Sequence, residues 1–217
     1  MSVGMILLLV AGLLVIFGVG QRVLDRMRLS DRGALVAMAA IFIGGLIPPI
    51  TLGPIQFSIG GALVPLAICI YVLAQADSPG DFWRGIIGAV LTAGAIYALD
   101  HFLPADPAAI TFDPNYLYGI AAGVIAYILG RSRRGAFISA VLGLILVDVV
   151  IGIVNRAQGV NQLITIGTGG MLDAIVISGL LAVMLAELVG EIIERIVRGK
   201  GRQENEDGAV RDGRRAR

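Results

Sequence analysis

The sequence predicts an all-α polytopic membrane protein that crosses the bilayer seven times. Of its 217 residues, 57% are hydrophobic and only 15% are charged, whereas soluble domains contain about 25% charged residues. The mean hydropathy is +0.86, and apolar runs of membrane-spanning length recur along the chain. Because the last charged stretch has no apolar face, we predict a transmembrane domain over residues 1–198 and a disordered tail over 199–217.

Seven apolar segments are separated by polar, glycine-containing or proline-containing stretches. The first lacks the basic start and the cleavage site of a signal peptide, so we expect it to be retained. Between the second and third segments, TLGPIQFSIGG predicts an extended or hairpin-like connector, because Pro54 and the glycines oppose helix formation. The predicted spans are residues 5–20, 33–47, 62–74, 85–99 and 116–131, followed by two spans within 135–198.

The distribution of basic residues predicts the orientation of these spans. If seven spans alternate in direction, sixteen of the seventeen Lys and Arg residues fall on one side of the membrane, and only Arg156 falls on the other. Short loops that carry positive charge remain in the cytoplasm. We therefore predict an inner-membrane protein with its N-terminus outside and its C-terminus inside.

Two pairs of short motifs suggest an internal repeat. The tripeptide RGA occurs at residues 32–34 and 134–136, and the related motifs GGAL and GGML occur at residues 60–63 and 169–172. If these motifs record a duplication, spans one to three repeat as spans five to seven in the same orientation. Such 3+1+3 parallel repeats occur in transporters. A chance match between short glycine-containing motifs is the alternative interpretation.

Two aspartates lie within the last two predicted spans. Asp148 is in the middle of the sixth span, and Asp173 begins the seventh. A carboxylate inside a membrane helix costs roughly 2.5–3.5 kcal/mol even on the mildest insertion scale. Because the two spans run in opposite directions, an acid late in one and an acid early in the next lie at similar depth. We expect both acids in the outer half of the membrane.

These acids have structural and functional interpretations. Asp173 follows two glycines at a helix start, where a carboxylate caps free backbone N–H groups. Asp148 has no such position, and its structural role would be a hydrogen-bonded or protonated side chain. The functional alternative is a catalytic pair that shares one proton, with one carboxyl group as acid and the other as base.

Other residues near the two aspartates are candidate substrate-binding or gating positions. Small residues recur at every fourth position of the seventh span and let helices approach closely, within the chain or between subunits of an oligomer. They are Gly170, Ala174, Ser178, Ala182, Ala186 and Gly190. Pro65 interrupts a short span, and Asn155 shares a helix face with Asp148. The candidate positions are Pro65, Asn155, Gly169, Gly170 and Ser178.

Two resemblances extend this interpretation. A membrane aspartate followed by a glycine-led aspartate resembles the presenilin and signal-peptide-peptidase type of intramembrane aspartyl protease, although residues 169–173 (GGMLD) depart from that family's Gly-x-Gly-Asp motif. This resemblance implies peptide hydrolysis by Asp148 and Asp173. Over nearly the whole chain, runs such as IGGALVPLAICIYVL and GGMLDAIVISGLLAVMLAELVGE resemble the prokaryotic domain-of-unknown-function 1614 family, which implies a membrane protein without an assigned activity.

Other chemistry receives little support from the sequence. It contains no Walker loop, HExxH, GxSxG or CxxC pattern, so no cofactor is expected. Asp100 and His101, with Asp106 and Asp113, are more typical of a solvated loop than of a metal site. The expected partners are the lipid bilayer and a transmembrane peptide or small solute, with no nucleic acid. Three functions remain open: an aspartyl hydrolase, a proton-coupled transporter and a non-catalytic scaffold.

Overall fold

Six helices and a small sheet make up the part of the chain that the computed structural model describes, residues 31–75, 79–102, 114–130, 132–167 and 173–190. The predicted first span, the tail from residue 199, Gly169 and Gly170 lie outside these residues. The helices are α1 (Asp31–Leu46), α2 (Val64–Ala74), α3 (Pro79–Phe102), α4 (Pro114–Gly130), α5 (Arg133–Ala157) and α6 (Ala174–Gly190). The strands are β1 (Ile50–Leu52), β2 (Ile55–Phe57) and β3 (Ile164–Ile166).

Each predicted span from the second to the seventh coincides with a helix. Helices α3 and α5, with 24 and 25 residues, are long and apolar enough to cross a bilayer. The other described apolar helical segments are shorter and extend over Val36–Leu46, Ile59–Ala74, Leu117–Leu129 and Ala174–Gly190.

The connector between α1 and α2 is a β-hairpin, which confirms the extended segment predicted there. Strands β1 and β2 are antiparallel, and the turn between them contains Gly53 at φ +60°, a conformation that glycine adopts without a steric penalty. Strand β3, which precedes α6, then pairs with β2 in parallel. The all-α prediction was therefore incomplete, because three-residue strands leave too little periodicity to be recognised.

A π-helical turn, Ile59–Leu63, joins β2 to α2. The buried Ser58 hydroxyl caps this turn by accepting a hydrogen bond from the Gly61 N–H at 3.2 Å. Gly60 lies directly against α1, since a Cβ atom there would be 2.3 Å from the Ile41 carbonyl oxygen. Pro65 follows at the start of α2, inside the continuous helical segment Ile59–Ala74, where its missing N–H removes one hydrogen bond back to the π-helical turn.

The core of the bundle is the parallel pair α3 and α5. Their close approach depends on glycines: Gly85 and Gly88 of α3 face Ile138 and Ser139, and Gly143 of α5 faces α3. The Ser139 hydroxyl donates a hydrogen bond to the Gly85 carbonyl at 3.3 Å. Small residues therefore bring the two longest helices into contact along much of their length.

Helix α6 packs against α4 and α5 through the face of small residues predicted from its four-residue spacing. Of its five described members, Ala174, Ser178, Ala182 and Ala186 are buried and Gly190, at the helix end, is half-buried. Gly119 of α4 lies against Ala174 and Ile177, and further along α4 Gly123 lies against Leu181. This face is used within the chain, and association between copies through small-residue helix faces stays a prediction.

Polar contacts join the helix ends in two groups. At one end, Arg133 at the start of α5 forms an ion pair with Glu187 of α6, and Arg134 donates to the Gln75 carbonyl after α2 at 3.2 Å. At the other end, Tyr118 of α4 donates to Asp100 of α3. Consecutive helices from α2 to α6 thus alternate in direction.

Candidate functional site

A cavity of about 80 Å³ lies among α3, α4, α5 and the start of α6. Four polar side chains face it, one from each of these four elements, and they are Asp100, Tyr118, Asp148 and Asp173. Its apolar walls are Ile96, Leu144, Val147, Ile151, Ala174 and Ile175. A space of this size holds a few water molecules where polar groups surround it.

Asp148 enters the cavity from the middle of α5. Its carboxylate interacts with the backbone N–H of Gly167 and, electrostatically, with the carboxylate of Asp173. Gly167 has φ +65°, and a Cβ atom there would lie 2.5 Å from the Gly61 carbonyl carbon. Only glycine fits this position, so the packing of β3 against the π-helical turn aims a backbone donor at Asp148.

Asp173 caps α6 and lines the cavity at the same time. Its Oδ1 accepts a hydrogen bond from the Ile175 N–H at 2.9 Å, and its carbonyl accepts the first helical hydrogen bond, from Ile177. Only 7% of the residue is exposed. The structural interpretation of this aspartate is therefore correct, and it leaves the carboxylate beside Asp148.

Asp100 and Tyr118 belong to the site but were not predicted as part of it. Asp100 lies two residues before the end of α3, and the Tyr118 hydroxyl from the first turns of α4 donates a hydrogen bond to it. Their proximity could have been predicted from the sequence. Asp100 lies at the end of one predicted span and Tyr118 at the start of the next, and these two ends must lie on the same side of the membrane. We instead interpreted Asp100 as part of a solvated loop.

The tentative substrate or gate residues do not join this cavity. Pro65 is buried at the start of α2, and the Ser178 hydroxyl donates within its own helix to the Ile175 carbonyl at 3.0 Å. Asn155 lies near the end of α5, where its carbonyl accepts a hydrogen bond from Val160. None of these three is among the described residues that line the cavity.

The carboxylates of the cavity do not form a recognisable metal site. Within residues 31–75, 79–102, 114–130, 132–167 and 173–190, no group of three or more His, Cys, Asp or Glu side chains is arranged to hold a metal ion. The cavity instead brings together carboxylates that accept protons, one phenol and two backbone N–H donors. That set is suited to holding and exchanging protons.

Among the described residues, apolar helices pack through small residues, two of them are long enough to cross a bilayer, and acids lie in the interior of the bundle. A family model described as YphA-like integral membrane protein matches residues 28–207. The chain belongs to this family of integral membrane proteins, and the match includes all six described helices and the four polar residues of the cavity. No curated protein and no solved structure matches the chain. The resemblances to the domain-of-unknown-function 1614 family and to presenilin-type proteases stay predictions.

Proposed function

We propose that this protein is a proton-coupled carrier of a small solute, in which Asp148 and Asp173 hold the coupling proton. The observation that carries the proposal is that the two carboxylates, from different helices, line one cavity inside the bundle and interact electrostatically. Intramembrane carboxylates in such positions commonly form proton relays.

A single proton between the two acids is the favourable state of this site. Two neighbouring carboxylates repel each other when both are ionised, and the repulsion is strong where water is scarce. The remaining negative charge is stabilised by the N–H groups of Gly167 and Ile175. The pair therefore gains or loses one proton as a unit, which is the event that a coupled carrier requires.

A non-helical segment next to the acids also supports a carrier. Strand β3 and Gly167 precede α6, and the Gly167 N–H interacts with Asp148. Transporters place non-helical backbone next to their binding sites, where it lines a cavity or is buried in protein. The proposed duplication of spans one to three as five to seven is consistent with this architecture.

An intramembrane aspartyl hydrolase is the second candidate, and the shared cavity of Asp148 and Asp173 is the observation that favours it. The size of the cavity does not separate the two candidates, since about 80 Å³ is far below the roughly 300 Å³ at which ligand pockets begin, and the cavity admits neither a peptide nor a solute of that size. Protons and water fit within it.

The proposed topology has seven spans in the inner membrane, with the N-terminus outside and the C-terminus inside. The alternating direction of α2 to α6 supports it. The contacts of Arg134 with the end of α2 and of Arg133 with the end of α6 also support it, because they place basic residues at one face of the bundle. In this orientation the cavity lies in the outer half of the membrane.

The test is transport by purified protein in liposomes that enclose a pH-sensitive dye. Gradients of amino acids, sugars and organic acids are applied in turn, and a transmembrane peptide is supplied to parallel samples. We expect proton movement with one solute class, lost in Asp148→Asn and Asp173→Asn and retained in Asp81→Asn at the opposite end of α3. Acid-dependent peptide cleavage without transport establishes the hydrolase instead, and a protein inactive in both assays is a scaffold.

A further inference from the structure

We infer that Asp100 exchanges protons between the outer aqueous phase and the Asp148–Asp173 pair, and that Tyr118 positions Asp100 for this exchange. The inference rests on the proposed proton-holding role of the pair and adds the residue through which the pair exchanges protons with the outer aqueous phase. Asp100 and Tyr118 come from α3 and α4, so neither belongs to the two elements that carry the pair.

The position of Asp100 suits it to this connection. It lines the cavity shared with Asp148 and Asp173, yet it is half-buried and only two residues from the end of α3. Phe102, the last residue of α3, is 86% exposed. Asp100 is therefore more exposed than the almost completely enclosed Asp173, and it lies near a helix end, whereas the half-buried Asp148 lies in the middle of α5.

Tyr118 holds the Asp100 carboxylate towards the cavity. Its hydroxyl donates a hydrogen bond to Asp100 Oδ1, and its ring is half-buried against the main core of the bundle. A carboxylate at the end of a helix has several rotamers, and a donor on the neighbouring helix selects one of them. Tyr118 acts through Asp100 and is a positioning residue.

The proton transfer is balanced at each step. A proton from outer water binds a carboxylate oxygen of Asp100, and that carboxylic acid then gives its proton, through water in the cavity, to the pair when the pair has lost its shared proton. Asp100 returns to the carboxylate. The titratable groups that face the cavity from the described elements are Asp100, Tyr118, Asp148 and Asp173; the exposed His101 lies against Tyr97 instead.

The test is time-resolved infrared spectroscopy of the full-length protein in liposomes after an external pH jump. The carboxylic-acid band of the pair is the band that Asp148→Asn and Asp173→Asn remove. We expect Asp100→Asn to slow its appearance by about tenfold or more while its final amplitude is unchanged, and Tyr118→Phe to slow it less. Tyr97→Phe and Asp81→Asn are the matched controls on α3 and should keep the wild-type rate.

The outcomes separate this inference from the proposed function. A wild-type rate in Asp100→Asn overturns the exchange role of Asp100 but does not contradict the shared proton of the pair. Equal slowing in the control variants shows a general structural effect and also overturns the exchange role. The absence of a carboxylic-acid band in the wild-type protein overturns both proposals. A slow rate in Asp100→Asn, with no solute transported in the flux assay, supports the exchange and refutes the carrier.

Discussion

Ile55 of β2 lies opposite Ile164 of β3 in the parallel strand pair. In the sequence, Ile55 and Ile164 are separated by the same number of residues as Gly60 and Gly169, the glycines that begin the related motifs GGAL and GGML. The strands that lead into the two motifs are thus aligned residue by residue in space. This register is compatible with the repeat, which stays a prediction beside the alternative of a chance match.

The capping role of Asp173 and its proposed proton-holding role are separable by substitution. Serine still accepts a hydrogen bond from the Ile175 N–H, whereas alanine does not, so we expect Asp173→Ala to be less stable than Asp173→Ser by about 1 kcal/mol. Both variants lack the carboxylate and should lose proton-coupled transport. Thermal unfolding in detergent and liposome flux measure the two effects, and equal stability of the variants would contradict the capping role.

Gly60 is required by the contact between the π-helical turn and α1. A Cβ atom at this position would lie 2.3 Å from both the Ile41 carbonyl oxygen and the Gly45 nitrogen, and backbone atoms do not yield easily. We expect Gly60→Ala to lower the free energy of unfolding by roughly 1–3 kcal/mol.

The matched control for this change is Gly94→Ala in α3, where the new Cβ would meet nothing within 4 Å. Alanine favours the helix, and we expect a gain of roughly 0.5–1 kcal/mol. Denaturant titration in mixed micelles measures both values. A neutral Gly60→Ala variant would show that α1 and the turn are not in contact.

Thr92 is buried between α3 and α5, and its hydroxyl has no hydrogen-bond partner among the described residues. Valine has nearly the same shape without the polar atom, so we expect Thr92→Val to increase stability by about 1 kcal/mol. Ser139→Ala in the same interface removes the hydrogen bond to Gly85 and should have the opposite sign. Unfolding curves for the two variants test this, and a destabilised Thr92→Val would reveal a partner for the hydroxyl.

The Arg133–Glu187 ion pair joins α5 to α6 with side chains that are only 12% and 22% exposed. Removing one partner leaves an uncompensated charge, so we expect Arg133→Met or Glu187→Leu alone to cost about 2 kcal/mol. The double variant removes both charges and should be more stable than either single variant. A double-mutant cycle measures the coupling of the two side chains, and additive stability changes of the two single variants would show that they are not coupled.

The proposed orientation predicts which loops an impermeant thiol reagent reaches. In a Cys69→Ala background, a cysteine at the exposed Gln162, between α5 and β3, should be labelled in intact cells. A cysteine at the exposed Gly80, at the start of α3, should be labelled only after permeabilisation, because it lies on the side rich in basic residues. The reverse pattern would invert the topology.

The hairpin and the third strand differ in how well the sequence predicts them. The hairpin was predictable because Gly53 and Pro54 lie in one short segment between two helices. The pairing of Ile164 with Ile55 was not, because it joins strands that are far apart in the chain. The same distinction applies to the acids: the order of the spans placed Asp148 near Asp173, but Asp100 enters from a third helix.

The sequence by itself determined the membrane class, the positions of the helices within the described residues and the proximity of the last two aspartates. It could do so because lipid requires backbone hydrogen bonds to be satisfied within each segment, so that apolar length alone marks a helix. Only the tertiary structure decided which side chains share the cavity. The rotation and axial shift of each helix are set by contacts such as Gly88 with Ser139 and Gly143 with Thr92, and these depend on the whole bundle rather than on any local pattern.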